Sequence, residues 1–322
     1  MNRKFFLVLA YAIAFAGFTT GIDARAASRT VTIWDDIAED TTLRAGHVYL
    51  IDGEVHVLEG VRLTVEDGVT ILIKNGKIQR RTLNRRALIL DQGSQLDAKR
   101  FSVRAAGADG RLEKLADNGG IWFLGTNQDA ESDGVTVTVN RNSTPSRFVA
   151  TEIHVTDLGS GDPTPSPRRL NPHGEDIDGL SVLGVARTEW KINSINSEYL
   201  ADDGFNITNS EIELESISVL SPFEDGLNVS SSRVRIQRCL LIDMTANTTI
   251  PDRDIFDLEV DDGPSYVTLA QGARVKLDGV LGDEIMIRSA DFPLENRAGP
   301  EHFHFDGRLR KGPASIYSRD QD

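Results

Sequence analysis

Cysteine is nearly absent: Cys239 is the only one in the chain of 322 residues. No intramolecular disulfide can form, so stability must come from a hydrophobic core. About 296 residues after a predicted cleavage are ample for that. Helical signals are scarce as well. No long stretch places apolar residues at helical spacing, which argues against bundles and βαβ sheets with helical crossovers. Apolar runs long enough for a membrane are missing after the amino terminus. The run from Phe5 to Phe18 is itself shorter than the roughly 20 residues a spanning helix needs.

That run follows Arg3 and Lys4 and precedes Ala24-Arg25-Ala26. A basic start, a short apolar stretch and small residues around a cut have the anatomy of a cleaved signal peptide, expected at 1–26. The expected location is secreted: extracellular, periplasmic or cell surface. Positive charge is in short supply. Removing Arg3, Lys4, Arg25 and Asp23 takes the formal net charge from −14 to −16. An acidic surface excludes nucleic acid and anionic membranes as natural partners, because like charges repel. No membrane span is expected in the mature chain.

What is abundant is short β-branched runs divided by Gly, Asp and Asn, the pattern of strands and turns. Gly53, Gly60, Gly68 and Gly76 punctuate one such run at regular intervals, and the apolar residues between them alternate with polar ones. The centre of the chain repeats. EDIDGLSV, ADDGFNI, FEDGLNV and VDDGPSY share one plan, with Gly204 and Gly226 separated by 22 residues. Without gaps, 189–204 falls on 211–226 and 205–217 on 227–239. Trp190, Ile212 and Val234 share a column, as do Ile195, Ile217 and Cys239, so Trp190 and Cys239 are expected in the core. Lys191, Glu213 and Arg235 should stack as an exposed ladder.

Columns of like residues require each repeat to sit on the last. A coil of about 22 residues holding three short strands, stacked in parallel at ~4.8 Å, satisfies this. The expected fold is therefore all-β: a right-handed parallel β-helix. A lead-in over 27–45 precedes the helix at 46–290, and a carboxy-terminal tail covers 291–322. Loops interrupt it at 157–173, rich in Gly, Pro and Ser, and at 244–259.

The D-D-G-F-N-I and E-D-G-L-N-V repeats resemble those of the pectin-lyase-like right-handed β-helix superfamily. The segments VYLIDGEVHVLEGVRLTVEDGVTILI, ALILDQGSQLDA and NGGIWFLGT are similar to bacterial cell-surface β-helix proteins. The resemblance covers roughly 45–285 and implies the fold; this scaffold hosts lyases, hydrolases, adhesins and others. Enzyme signatures of the superfamily do not carry over. Asp202-Asp203 matches the D-D of polygalacturonases alone, and Pro172-His173-Gly174 is not their G-H-G. Arg235-Ile236-Gln237 ends in Gln where Lys is wanted. The W-I-D-H and R-x-P-x-x-R segments of pectate lyases do not occur.

Chemistry-bearing residues concentrate at the repeats. Asp178, Asp203 and Asp225 precede the glycines, with Asp202 and Glu224 one place earlier. In-register stacking puts like charges about one strand apart, a repulsion of ~1 kcal/mol in water and ~3.5 kcal/mol at an effective dielectric of 20. Either Ca²⁺ gathers Asp178, Asp202, Asp203, Glu224 and Asp225, or each Asp turns onto a local backbone N–H in an Asp-Gly turn. Asn206 and Asn228 alternate with apolar neighbours and so point outward. With Asp178 and His173 they form the candidate binding face. If a glycan is cleaved, Asp203 and Asp225 are the candidate carboxylate pair. Arg168 and Arg169 of the 157–173 loop would meet a uronate carboxylate there.

Three functions follow: engagement of polysaccharide or an envelope partner without catalysis, cleavage of an acidic glycan, or a structural or adhesive spacer. If a glycan is bound, the ladder 178–228 under the 157–173 loop is the expected groove. The basic region around Arg80–Arg86 is the next candidate.

Overall fold

The computed structural model describes residues 29–78, 82–112, 116–140, 142–161, 177–244, 254–259, 262–270 and 272–278, and the backbone of 316–317. Among these residues every regular element is a strand. The chain winds as the expected right-handed parallel β-helix. Each coil lays one short strand in a seven-stranded sheet and a longer, bent stretch in a fourteen-stranded sheet.

In the short sheet, Glu54–Val57, Ala87–Leu90, Ile121–Leu124, Leu180–Leu183, Asn206–Thr208, Leu227–Ser230 and Phe256–Glu259 follow one another, all parallel. In the long sheet, Arg147–Thr156, Trp190–Glu198, Glu211–Leu220 and Arg233–Asp243 stack likewise. The preceding coil supplies the same side as two pieces, Gln95–Ala98 and Arg100–Ala106, which both pair with Arg147–Thr156. The connections between parallel neighbours are the other sides of the same coil, so no helix is needed.

Alternation along each strand fills the interior. Phe123, Phe148 and Trp190 meet edge to face at 5.2–6.4 Å inside an apolar column running from Ile37 to Leu277. Trp190 is buried, as its column requires. Corners recur too. Gly184, Asn209 and Ser231 occupy one corner of successive coils with φ of 62°, 50° and 49°. Glycine adopts that left-handed conformation freely, and Asn tolerates it better than most.

The 22-residue register holds for Ser194↔Ser216, Asn206↔Asn228 and Glu211↔Arg233. It slips once. Leu214 pairs with Ile236, but Ser216 pairs with Cys239, so Arg233–Asp243 carries one extra residue. That bulge corrects the expectation for Cys239. Leu240 takes the core place beside Ile217 and is fully buried, while Cys239 is partly exposed. The charged ladder is half as expected. Glu213 and Arg235 are in register with Arg235 Nε 3.9 Å from Glu213 Oε2, but Arg187, not Lys191, supplies the other ion pair to Glu213.

The locally basic segment is largely neutralised within the fold. Lys74 and Arg86 both bind Asp52, Arg85 is buried against Asp117, and Arg100 clasps Asp67. Arg80 and Arg81 lie outside the described residues.

Candidate functional site: a roofed carboxylate cluster and an open polar face

The acid–acid–Gly turns lie where each coil enters the short sheet. Their glycines are required by close approach. A Cβ on Gly204 would stand 2.6 Å from the carbonyl oxygen of Gly226, and one on Gly226 would stand 2.5 Å from that of Ile255. The aspartates clamp successive turns together. Asp203 Oδ1 accepts the N–H of Asp225 at 3.0 Å, and Asp225 Oδ1 accepts the N–H of Asp254 at 2.6 Å. These bonds reach one coil ahead, whereas the Asp-Gly turn, one of the two alternatives the sequence left open, would have kept them within the local turn.

A short antiparallel hairpin, Ala130–Ser132 with Val135–Val137, roofs the outer face of the short sheet. Its apolar side, Ala130, Val135 and Val137, packs with Ile89, Trp122 and Leu183. Its polar tip engages the ladder. Asp133 Oδ2 accepts the N–H of Asp178 at 2.7 Å, Ser132 Oγ accepts from Asn206 at 2.8 Å, and Asn209 donates to the carbonyl of Asp129 at 2.7 Å. Asn206 also donates to Asp178 Oδ2. Asn206 faces outward as its parity predicts, yet the hairpin buries it. Sequence reasoning missed this roof. Its signal was present in the Asp133-Gly134 pair between short alternating runs.

Under and beside the tip the carboxylates converge. Asp133, Asp178 and Asp202 form one triad, and Asp202, Asp203 and Glu224 another; within each, one carboxylate oxygen per residue lies within 4.8 Å of the others. Both triads can coordinate a metal ion. The donors are all hard oxygens, which suits Ca²⁺ or Mg²⁺ and not a thiolate- or imidazole-seeking metal. Burial, then mutual repulsion, pushes Asp178, Asp202 and Asp225 well above the usual carboxylate range. Burial lifts Asp203 to about 8 despite the N–H of Asp225 and the Asn228 side chain that favour its charge. Ser181 also favours the charge of Asp178, yet the buried Asp178 Oδ1 completes no hydrogen bond.

Thus four of the five predicted metal ligands meet in the triads, joined by Asp133, which the sequence analysis did not single out. Asp225 lies outside both triads and is turned toward Asp254. Asn228 stands in register with Asn206 and Asp257 and is half-buried. Arg168, Arg169 and His173 lie outside the described residues.

The long sheet presents a more open face. Thr70, Ser102, His154, Asn196 and Ser218 form one outward column in register across five coils. Neighbouring polar groups hold them. Ser102 donates to Thr70 at 3.2 Å, and Asn196 donates to Glu152 at 2.6 Å. His154 Nε2 lies 3.2 Å from Thr156 Oγ1 and 3.5 Å from Glu198 Oε1. A groove of 330 Å³ runs past Arg100, Phe101, Ser102, Glu152 and His154.

Comparison with protein-family models, with curated proteins and with solved structures finds no match to this chain.

Proposed function

We propose that the chain is an exported β-helix scaffold, of the pectin-lyase-like kind, that engages a polysaccharide of its surroundings without cleaving it. The observation that carries this is the in-register polar column from Thr70 to Ser218 beside an open groove. Hydroxyl, amide and imidazole groups recur at the strand spacing of ~4.8 Å, so an extended glycan crossing the strands meets similar partners at successive units. Calcium at the carboxylate triads belongs to the same reading, as a structural ion beneath the hairpin.

The test is a panel of acidic and neutral glycans. It scores binding, ultraviolet absorbance of unsaturated products and new reducing ends separately. Saturable binding of a glycan without either product supports the reading. Turnover overturns it in favour of a lyase or hydrolase, and no binding at all leaves a spacer.

One observation favours the hydrolytic reading. Asp203 is held at about 8, within the range of a general acid at neutral pH. Its burial and its bond to the N–H of Asp225 describe a clamp between coils at least as well.

A further inference from the structure

We infer that a single calcium ion belongs between Asp133, Asp178 and Asp202, and that it latches the 130–137 hairpin onto the short sheet over Trp122. This rests on the calcium part of the reading above and narrows it to one of the two triads; it is independent of the glycan.

Three segments bring one carboxylate each: Asp133 from the hairpin turn, Asp178 from one coil and Asp202 from the next. Their oxygens lie within 4.8 Å of one another. Ca²⁺ holds its oxygens at about 2.3–2.6 Å and so spaces opposite ligands about 4.6–5.2 Å apart. Two of the three acids lack what a buried acid needs. Asp178 and Asp202 are only 3 % and 6 % exposed. Asp178 Oδ1 accepts no hydrogen bond, and among the described residues no Lys, Arg or His pairs with either side chain. A buried oxygen without a partner is costly, and one cation answers all three carboxylates at once. The second triad is differently placed. Its Asp203 already accepts the N–H of Asp225 and bonds the Asn228 side chain, so it serves as the clamp between coils.

The hairpin needs such a hold. Its strands are three residues each, and a lone two-stranded hairpin is marginal in water. Without an ion, its tip sets the Asp133 carboxylate against those of Asp178 and Asp202, and like charges push the tip away. With an ion, the same three charges draw it down. Asp133 is only half-buried at the tip, so lifting the tip admits the ion and lowering it closes the third ligand over it. The apolar side of the hairpin covers Trp122, which is fully buried. Metal thus decides how firmly that apolar patch is covered. Asp133 and Gly134 hold φ of 49° and 78°, the left-handed pair of a two-residue hairpin turn. Asn adopts that conformation as Asp does, so Asp133→Asn removes the charge and keeps the turn.

Calorimetry of the full chain, stripped with EDTA and titrated with calcium chloride, tests the site. Wild type should bind one ion. Asp133→Asn should weaken binding about tenfold or more, the loss of one charged ligand. Glu224→Gln, which touches only the second triad, should bind as wild type does. Acrylamide quenching of tryptophan fluorescence tests the latch, with Trp34→Phe as background because Trp34 is exposed while Trp122 and Trp190 are buried. Chelation should raise quenching and calcium should reverse it; in Asp133→Asn the raised quenching should persist in calcium. The chelation arm needs no substitution at the site, so it stands even if one disturbs folding. Quenching that ignores chelation while calcium binds overturns the latch. Unchanged affinity in Asp133→Asn overturns this site, and a loss in Glu224→Gln then leaves the calcium reading standing at the second triad. No calcium binding by wild type overturns both, while the glycan panel is scored apart from either.

Discussion

At the scale of single residues, burial and charge set how the protein responds to pH. Asp178, Asp202, Asp203 and Asp225 are all raised above their ordinary value, Asp203 to about 8. Without metal the folded state therefore holds protons that the unfolded state has released. Stability is fullest below the ordinary carboxylate pKa near 4 and falls as pH rises toward 8. Calcium would replace those protons. Metal-free protein should melt progressively lower from pH 4 to 8, and calcium should flatten the curve and release protons on binding near pH 7. At 100 times its dissociation constant it stabilises by ~2.7 kcal/mol. A melting curve indifferent to pH and to calcium would contradict both the buried acids and the metal.

His56 runs the other way. Burial lowers it, but hydrogen bonds to Asp91 at 2.7 Å and Glu54 at 3.4 Å prevail and lift it to about 9. Its folded value lies above the unfolded one, so its contribution is complete below pH 6.5 and is lost as pH rises through 9. His56→Gln should cost on the order of 2 kcal/mol at pH 6 and almost nothing at pH 10. Chemical denaturation at the two pH values measures it; an equal cost at both would show that packing, not charge, is what His56 supplies.

At the scale of elements, the bulge in Arg233–Asp243 makes a direct prediction for the lone cysteine. Cys239 should react with one equivalent of thiol reagent in the native state, since Leu240 occupies the core position. Reaction only in denaturant would return Cys239 to the interior. The hairpin makes another. Asp133 is its sole carboxylate in the triads, so Asp133→Ala should weaken calcium binding and loosen the hairpin while leaving the helix folded. Calorimetry with calcium, and protease cleavage within 129–137, would show it; unchanged calcium affinity would place the ion in the second triad.

These elements also show what the sequence could convey. Columns such as Trp190–Ile212 and Asn206–Asn228 were legible because stacking forces equivalent residues into equivalent places. Cys239 was not, because a one-residue insertion leaves no local mark when the residues around it are equally compatible with a strand. The convergence of Asp178, Asp202, Asp203 and Glu224 followed from the repeat. The contribution of Asp133 did not, because it comes from an insertion 45 residues before Asp178 that obeys no repeat.

At the scale of the molecule, two faces are set apart. The short sheet is roofed and acidic, and its aspartates tie coil to coil. The long sheet is open and carries hydroxyls, an amide and a histidine. A rigid solenoid presents such a face without rearrangement, which limits the entropic cost of holding an extended chain. The most direct measurement is a crystal structure with a bound oligosaccharide from the glycan panel. The account predicts the glycan along the polar column from Thr70 to Ser218, uncleaved. A glycan lodged at Asp203 and Asp225 instead, or recovered there as cleaved product, would contradict it.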